Sequence, residues 1–202
     1  MVKVVDHDAR RRQIVEVTAR LIATEGIASV TTRRIASESG CSLGILSHYF
    51  SSKDEIVLGA LNWCDQRIGV LLEDLYQTTE LSVENFRRIF LYLLPLDEQS
   101  DAEWRVRVNL ITHSLTHPHL KQARRDSHAY ACDIATEFVQ KLQQCGEVST
   151  AVSAATVAAS AVDMVFGLSV NLLNYPIEER SARVDELLNL LPAVLSAEKM
   201  AN

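Results

Sequence analysis

The sequence predicts an all-α protein of about nine helices: an N-terminal three-helix head with a helix-turn-helix, and a larger C-terminal helical bundle. Three observations carry this. Apolar residues recur at helical spacing along nearly the whole chain. Glycine and proline, seven and four in 202 residues, are few and fall between the periodic runs. The stretch TTRRIASESGCSLGILSHYFSSKDE, residues 31–55, joins two short amphipathic segments through a glycine turn. With 48% apolar residues, the chain has ample material for a core.

Residues 1–8 show no helical pattern and are expected to be unstructured. The charged start MVKVVDHDARRRQ lacks the apolar run of an export signal, and four cysteines without disulfide or metal spacing point to a reducing cytoplasm. A first helix is expected over about 9–25, with Ile14, Val17, Thr18, Leu21 and Ile22 on its buried stripe and Gly26 ending it. Thr31 can cap the next helix, whose Ile35 and Ala36 face inward. Gly40 supplies the left-handed residue of a tight turn, and Cys41 plugs the corner. Ser42 caps the following helix, which buries Leu46 and Phe50. Leu43, Gly44, Ser47, His48 and Tyr49 are left on the opposite side, short or hydrogen-bonding apart from Leu43, as suits a helix laid in a major groove.

Ser52 and Glu55 read as a capping box for a long helix, about 53–77, with Val57, Leu61, Cys64, Ile68, Leu71 and Leu75 on one face. It would connect a head, residues 1–56, to a body, residues 57–202. In the body, Ser82 caps a helix stapled by Leu81 and Phe86 and ending at Pro95. Ser100 and Glu103 read as a second capping box, opening a helix with Trp104, Val108, Ile111 and Leu115 on its stripe, broken at Pro118. A helix over about 119–144 carries Leu120, Ser127, Ala131, Ile134 and Phe138, and Gly146 ends it.

Residues 151–174 are long and mostly apolar, but recurring Ser, Thr and Asn, the central Asp163 and the absence of basic flanks argue against a membrane span. The last helix, about 178–197, carries a stripe of Val184, Leu187, Leu188, Leu191 and Leu195. Two helices with surplus apolar surface are best satisfied by an isologous four-helix interface between two copies, or else they close the core of a single one.

Residues 31–56 resemble the DNA-binding region of the TetR family of bacterial transcriptional regulators, through Thr31, Ile35, Ala36, Gly40, Cys41, Ser42, Gly44, Ser47, Tyr49, Phe50, Lys53 and Ile56. Cys41 stands where the family commonly has Val, Ser47 where it has Tyr, and Tyr49 where it has His. The run GILSHYF is similar to the BetI-like branch. The resemblance implies a homodimer, paired through its last two helices, that binds a palindromic operator in double-stranded DNA and is released by a small-molecule effector. Gly44, His48 and Tyr49 would lie at the groove with Ser47, and Leu43 on a thymine methyl. Thr31, Ser42 and Lys53 would contact phosphates, and Thr32, Arg33 and Arg34 open the first helix of the motif, within reach of backbone or base edges.

A net charge of −6 argues against nucleic acid, but its distribution does not. Residues 1–53 hold eight basic side chains against five acidic ones, and the rest of the chain twelve against twenty-one. Arg10 to Arg12 form either a solvated first turn or an arm near the DNA backbone.

For the body, a small apolar or amphipathic effector is expected near Trp104, Phe138 and Phe166, with His113 and Asp163 as polar candidates. Asp163, on an apolar helix, needs a partner: Arg105, Arg107, His113, a second copy, or the effector itself. An aromatic cage for a quaternary ammonium is not evident among twelve aromatics, so choline is not specified. His113, His117 and His119 lack a completing acid or cysteine, and the four cysteines show no metal or disulfide spacing, so no metal or cofactor is expected. No catalytic motif is present, and an enzyme is not expected. The alternative is a helical small-molecule carrier without sequence-specific DNA binding.

Overall fold

The computed structural model describes residues 6–78 and 82–197, which form nine α-helices and no strand. The head comprises α1 (His7–Glu25), α2 (Thr32–Glu38) and α3 (Leu43–Tyr49), and α4 (Lys53–Thr78) leaves it for the body. α5 (Val83–Tyr92), α6 (Glu98–Ser114), α7 (Pro118–Gln144), α8 (Ala154–Leu172) and α9 (Ile177–Ala197) follow.

The head folds for local reasons that the sequence carries. Asp6 caps α1 by accepting the Ala9 N–H at 3.0 Å, two residues before the expected start. Every residue of the expected stripe is buried, from Ile14 to Ile22. The Thr31 and Ser42 hydroxyls accept the Arg34 and Ile45 N–H groups, each at 3.2 Å. Gly40, at φ 63°, makes the turn between them, where a side chain would be strained. Leu46 and Phe50 are buried, and Cys41 packs half-buried against the same core.

That core does not stop at the head. From Ile14, Ile22, Ile35, Leu46 and Phe50 it runs through Ile56, Val57, Leu61 and Cys64 of α4 and takes in Val106 and Leu110 of α6. Asn109 of α6 adds a polar tie, its Oδ1 accepting the Ile27 N–H at 3.2 Å.

Three expectations about helix starts and faces are corrected. The Ser52 hydroxyl does accept the Glu55 N–H, at 3.1 Å, but the Glu55 carboxylate turns to the N–H and hydroxyl of Ser51, at 2.7 and 2.8 Å, so the capping box is only half formed. α6 starts at Glu98, capped by Asp97 with Ser100 as the reciprocal partner, because an aspartate three residues before Ser100 completes the box first. Glu103, no longer needed there, pairs with Arg67 at 2.9 Å. The buried face of α6 is Glu103, Trp104, Val106, Arg107, Leu110 and Ser114, while Val108 and Ile111 are half-buried and Leu115, past the helix end, is 71% exposed. The face is rotated because Arg107 is buried against Asp65 of α4, at 3.2 Å, and the Cys64 carbonyl, at 2.9 Å.

Ser82 caps α5 as expected, through the Asn85 N–H. The Leu81–Phe86 staple, Leu71 and Leu75 of α4, and Leu191 and Leu195 of α9 lie outside the described side chains, as do residues 1–5 altogether. α7 and α8 pack antiparallel, with Val139 against Ala154 and Ala158 near one end and His128 bonded to Asp163 further along. α8 is long and apolar enough to cross a membrane, yet only 22% of its apolar window is buried in the single chain, and Met164, Val170 and Tyr175 are exposed at and beyond it. Asp163 lies on the uncovered side of the helix, its side chain 71% exposed. Arg180 pins α9 to the α5–α6 connection. It is buried, donating to the carbonyls of Tyr175 and Pro95 and to Asp101 at 3.0, 2.7 and 2.7 Å.

Candidate functional site

α3 owes its usefulness to what it leaves uncovered. Leu46 and Phe50 anchor one side, so Leu43 (44% exposed), Gly44, Ile45 (46% exposed), Ser47 and His48 form an open ridge. Ile45 was not among the residues expected on this ridge; its place beside Gly44, one residue before buried Leu46, is the signal that would have found it. Tyr49 is half-buried: its ring packs on the head core and edge-on to His48 at 5.4 Å, and its hydroxyl lies 3.0 Å from His7 Nδ1.

The ridge is held from α1. The Arg10 guanidinium donates to the Gly40 carbonyl at 3.1 Å, in the turn before α3. Arg11 donates to the Tyr49 carbonyl at the other end, pairs with Glu55 at 2.8 Å and stacks over Phe50 at 4.2 Å. The hydrogen bonds from Arg11 and Ser51 hold the Glu55 carboxyl down at about 2, so this clamp stays charged across the neutral range. Arg10 and Arg11 thus act inside the head as well as adding to its charge.

The other expected contacts take several forms. Thr32 and Arg33 are exposed at the start of α2. Thr31 and Ser42 spend an oxygen lone pair on capping, which leaves each O–H free to donate to a phosphate. Arg34 pairs with Glu25 at 2.9 Å and Glu38 at 2.6 Å, and the Glu25 hydrogen bond and charge, with Glu38, raise its affinity for the proton. A phosphate contact by Arg34 would have to displace those carboxylates. Lys53 Nζ donates to the Ile27 carbonyl at 3.0 Å.

In the body, the structure brings some expected residues together and separates others. Trp104 and Phe166 meet edge to face at 5.0 Å, with Trp104 Nε1 donating to the Leu93 carbonyl. Arg107 lies over the Trp104 ring at 5.5 Å and Arg124 over the Phe166 ring at 4.3 Å. Asp163 Oδ1 accepts from His128 Nε2 at 2.9 Å, so its partner is none of Arg105, Arg107 or His113. Phe138 lies ten residues beyond His128 on α7, about 15 Å by helical rise, outside the group of described apolar residues packed around Trp104 and Phe166. His113, about 13 Å along α6 from Trp104, stacks on His117 at 3.9 Å. The His119 side chain lies outside the described residues, among which no group of three metal-ligating side chains gathers.

The cysteines were expected to have no nearby histidine, but Cys132 Sγ lies 3.8 Å from His128 Nδ1, a pair that the four-residue spacing on a helix could have shown. Burial and the nearby Asp163 and Asp133 push its thiol up, which favours the unreactive protonated form. Cys64, buried beside Arg107, is pushed up to about 12. Arg124, Arg125 and His128 line a cavity of about 350 Å³ that opens to solvent.

The chain is similar to known proteins in both its head and its body. The family model for bacterial regulatory proteins of the tetR family matches residues 14–60, and that for the C-terminal region of BetI-type transcriptional repressors matches residues 82–191. The HTH-type transcriptional regulator PksA of Bacillus subtilis is 36% identical over 106 residues, 52% of each chain. The chain spans about half or less of the length of the curated relatives it matches. Among solved structures, a TetR-family transcriptional regulator from Rhodococcus sp. superposes with a TM-score of 0.77 at 19% identity, over 91% of this chain and 98% of that one. A transcriptional regulator from Saccharomonospora viridis in complex with choline does so with a TM-score of 0.77 at 23% identity, over 90% and 96%.

Proposed function

Since the chain belongs to the TetR family of bacterial regulatory proteins, with a C-terminal region of the BetI type, we propose that it is a ligand-responsive repressor that binds a palindromic operator as a homodimer. The family membership makes it a regulator and not an enzyme. The observation that carries the proposal is the open ridge of α3, capped by Ser42 at one end and clamped by Arg11 at the other. A helix fixed at both ends meets the groove without ordering cost. Leu43, Gly44, Ile45, Ser47, His48 and Tyr49 read bases, while Thr31, Thr32, Arg33, Ser42 and Lys53 hold the backbone, joined by Arg34 when it leaves its carboxylates.

The exposed apolar residues Met164 and Val170 of α8 support an isologous pairing through α8 and α9. In a homodimer, two copies of α3 enter successive major grooves about 34 Å apart. A small-molecule effector in the body shifts the pair away from that spacing. Such a protein works in the cytoplasm.

Titration against labelled DNA from the region upstream of its own gene, at two salt concentrations, tests this. Wild type should bind at about 10 nM or tighter and weaken as salt rises, while His48→Ala loses at least about tenfold. Equal, weak binding of both proteins to any DNA would reject the reading and favour a carrier on the same scaffold.

A further inference from the structure

We infer that the effector is a small organic anion bearing a carboxylate, held in the open hollow on α7 by Arg124 and Arg125, and not a quaternary ammonium. The inference deepens the effector part of the regulator reading and rests on it.

One face of each ring of the aromatic pair is already taken by an arginine. A quaternary cation needs an open aromatic face within about 6 Å. Arg124 covers Phe166 at 4.3 Å, and Arg107 lies 5.5 Å over Trp104. The two arginines bracket the aromatic pair, whose own rings meet edge to face.

Charge points the same way. The cavity of about 350 Å³ is lined by Arg124, Arg125 and His128. Asp163 is the nearby carboxylate on α8, and it is committed to His128 at 2.9 Å. Asp65 lies within electrostatic reach of Arg124 but is bonded to Arg107 and Ser127, at 3.2 and 2.8 Å. Among the described residues, Arg124 and Arg125 make no hydrogen bond or ion pair. Arg124 is half-buried as well, so its donors are partly stripped of water without a protein partner to replace it. A planar guanidinium fork in that condition fits a carboxylate bidentately.

The same geometry supplies a route to the head. An anion on Arg124 places negative charge near Asp65, which ties α4 to α6 through Arg107 and to α7 through Ser127. Repelling Asp65 loosens α4, the helix that leads directly from the reading head.

The test uses the full chain and three matched sets of probes: benzoate and hexanoate, their neutral amides, and choline. Calorimetry and Trp fluorescence read binding, and each unliganded variant is first melted to establish that it folds. The carboxylates should bind at least about tenfold more tightly than the amides or choline, and Arg124→Gln should lose at least about tenfold of that affinity. Arg125→Gln, on the exposed rim, serves as the second variant should Arg124→Gln misfold, and should also weaken carboxylate binding. Choline or the amides binding as well as the carboxylates, undiminished carboxylate binding in the folded variants, or no carboxylate binding at millimolar concentration each overturns the inference. A parallel DNA titration separates the two readings. DNA binding without carboxylate binding removes this inference alone, whereas carboxylate binding without DNA binding leaves the site and removes the regulator reading.

Discussion

The Tyr49 hydroxyl lies 3.0 Å from His7 Nδ1, so the first residue of α1 and the last residue of α3 are joined across the head. The His7 ring also sits 6.1 Å from that of His48. Tyr49 is therefore oriented before any DNA arrives. His7→Ala should leave the melting temperature nearly unchanged, since the contact is exposed, while weakening operator binding about three- to tenfold. Tyr49→Phe, which removes the same hydroxyl, should show a similar loss, and the two changes combined should be less than additive in a double-mutant cycle.

The Arg11–Glu55 clamp predicts a pH dependence. Glu55 is held at about 2 in the folded protein against an ordinary 4.5. A lowered folded value means that the carboxylate contributes fully above about 4.5 and that its contribution fades as pH falls towards about 2. Urea melts should find Glu55→Gln less stable than wild type at pH 7, with the gap narrowing through that acid window. A gap that is constant with pH would mean that the carboxylate's charge is not what holds the clamp.

α1 and α4 cross at Gly59, where an added Cβ would stand 2.7 Å from Val15 Cγ1. Val15 is β-branched and buried and cannot swing aside. Gly59→Ala gains about 1 kcal/mol of helix propensity but meets an overpacking cost of about 1–3 kcal/mol. The net should be a loss of about 1 kcal/mol by urea unfolding, recovered in part when Val15→Ala is added.

Arg180 is buried with three partners, and Asp101 shows the strength of the arrangement. Burial works against its charge, but hydrogen bonds from Arg105 and Arg180 outweigh that and keep its carboxyl below the usual range. Arg180→Ala should cost about 1–3 kcal/mol, because it leaves the buried Pro95 carbonyl without its donor and Asp101 with Arg105 alone. Arg180→Lys should recover only part, since one ammonium cannot span three acceptors.

What could be read from the sequence was what depends on near neighbours. Thr31, Ser42 and Ser82 cap helices because each needs only the N–H three residues on, and Gly40 turns the chain because of its own backbone. The ridge of α3 followed from two buried anchors four residues apart. What escaped depended on distant partners. Arg107 is buried only because Asp65 waits 42 residues away, and that ion pair turned α6 from its expected face. Asp163 was expected to pair with Arg105, Arg107, His113, a second copy or the effector, but α8 keeps it at the surface beside His128, a partner 35 residues distant. Asp97 took the place assigned to Ser100 because both residues can cap, and the spacing rule alone does not choose between them.

The apolar core that passes from Ile22 and Leu46 into Val106 and Leu110 has a thermodynamic consequence. Melting the head would strip those two α6 side chains of their packing, and melting α6 would uncover the head. Neither can unravel while the other stays intact, so heating should give one cooperative transition. For the same reason α3 cannot flutter on a loose tether. It changes its stance only when α4 and α6 move with it.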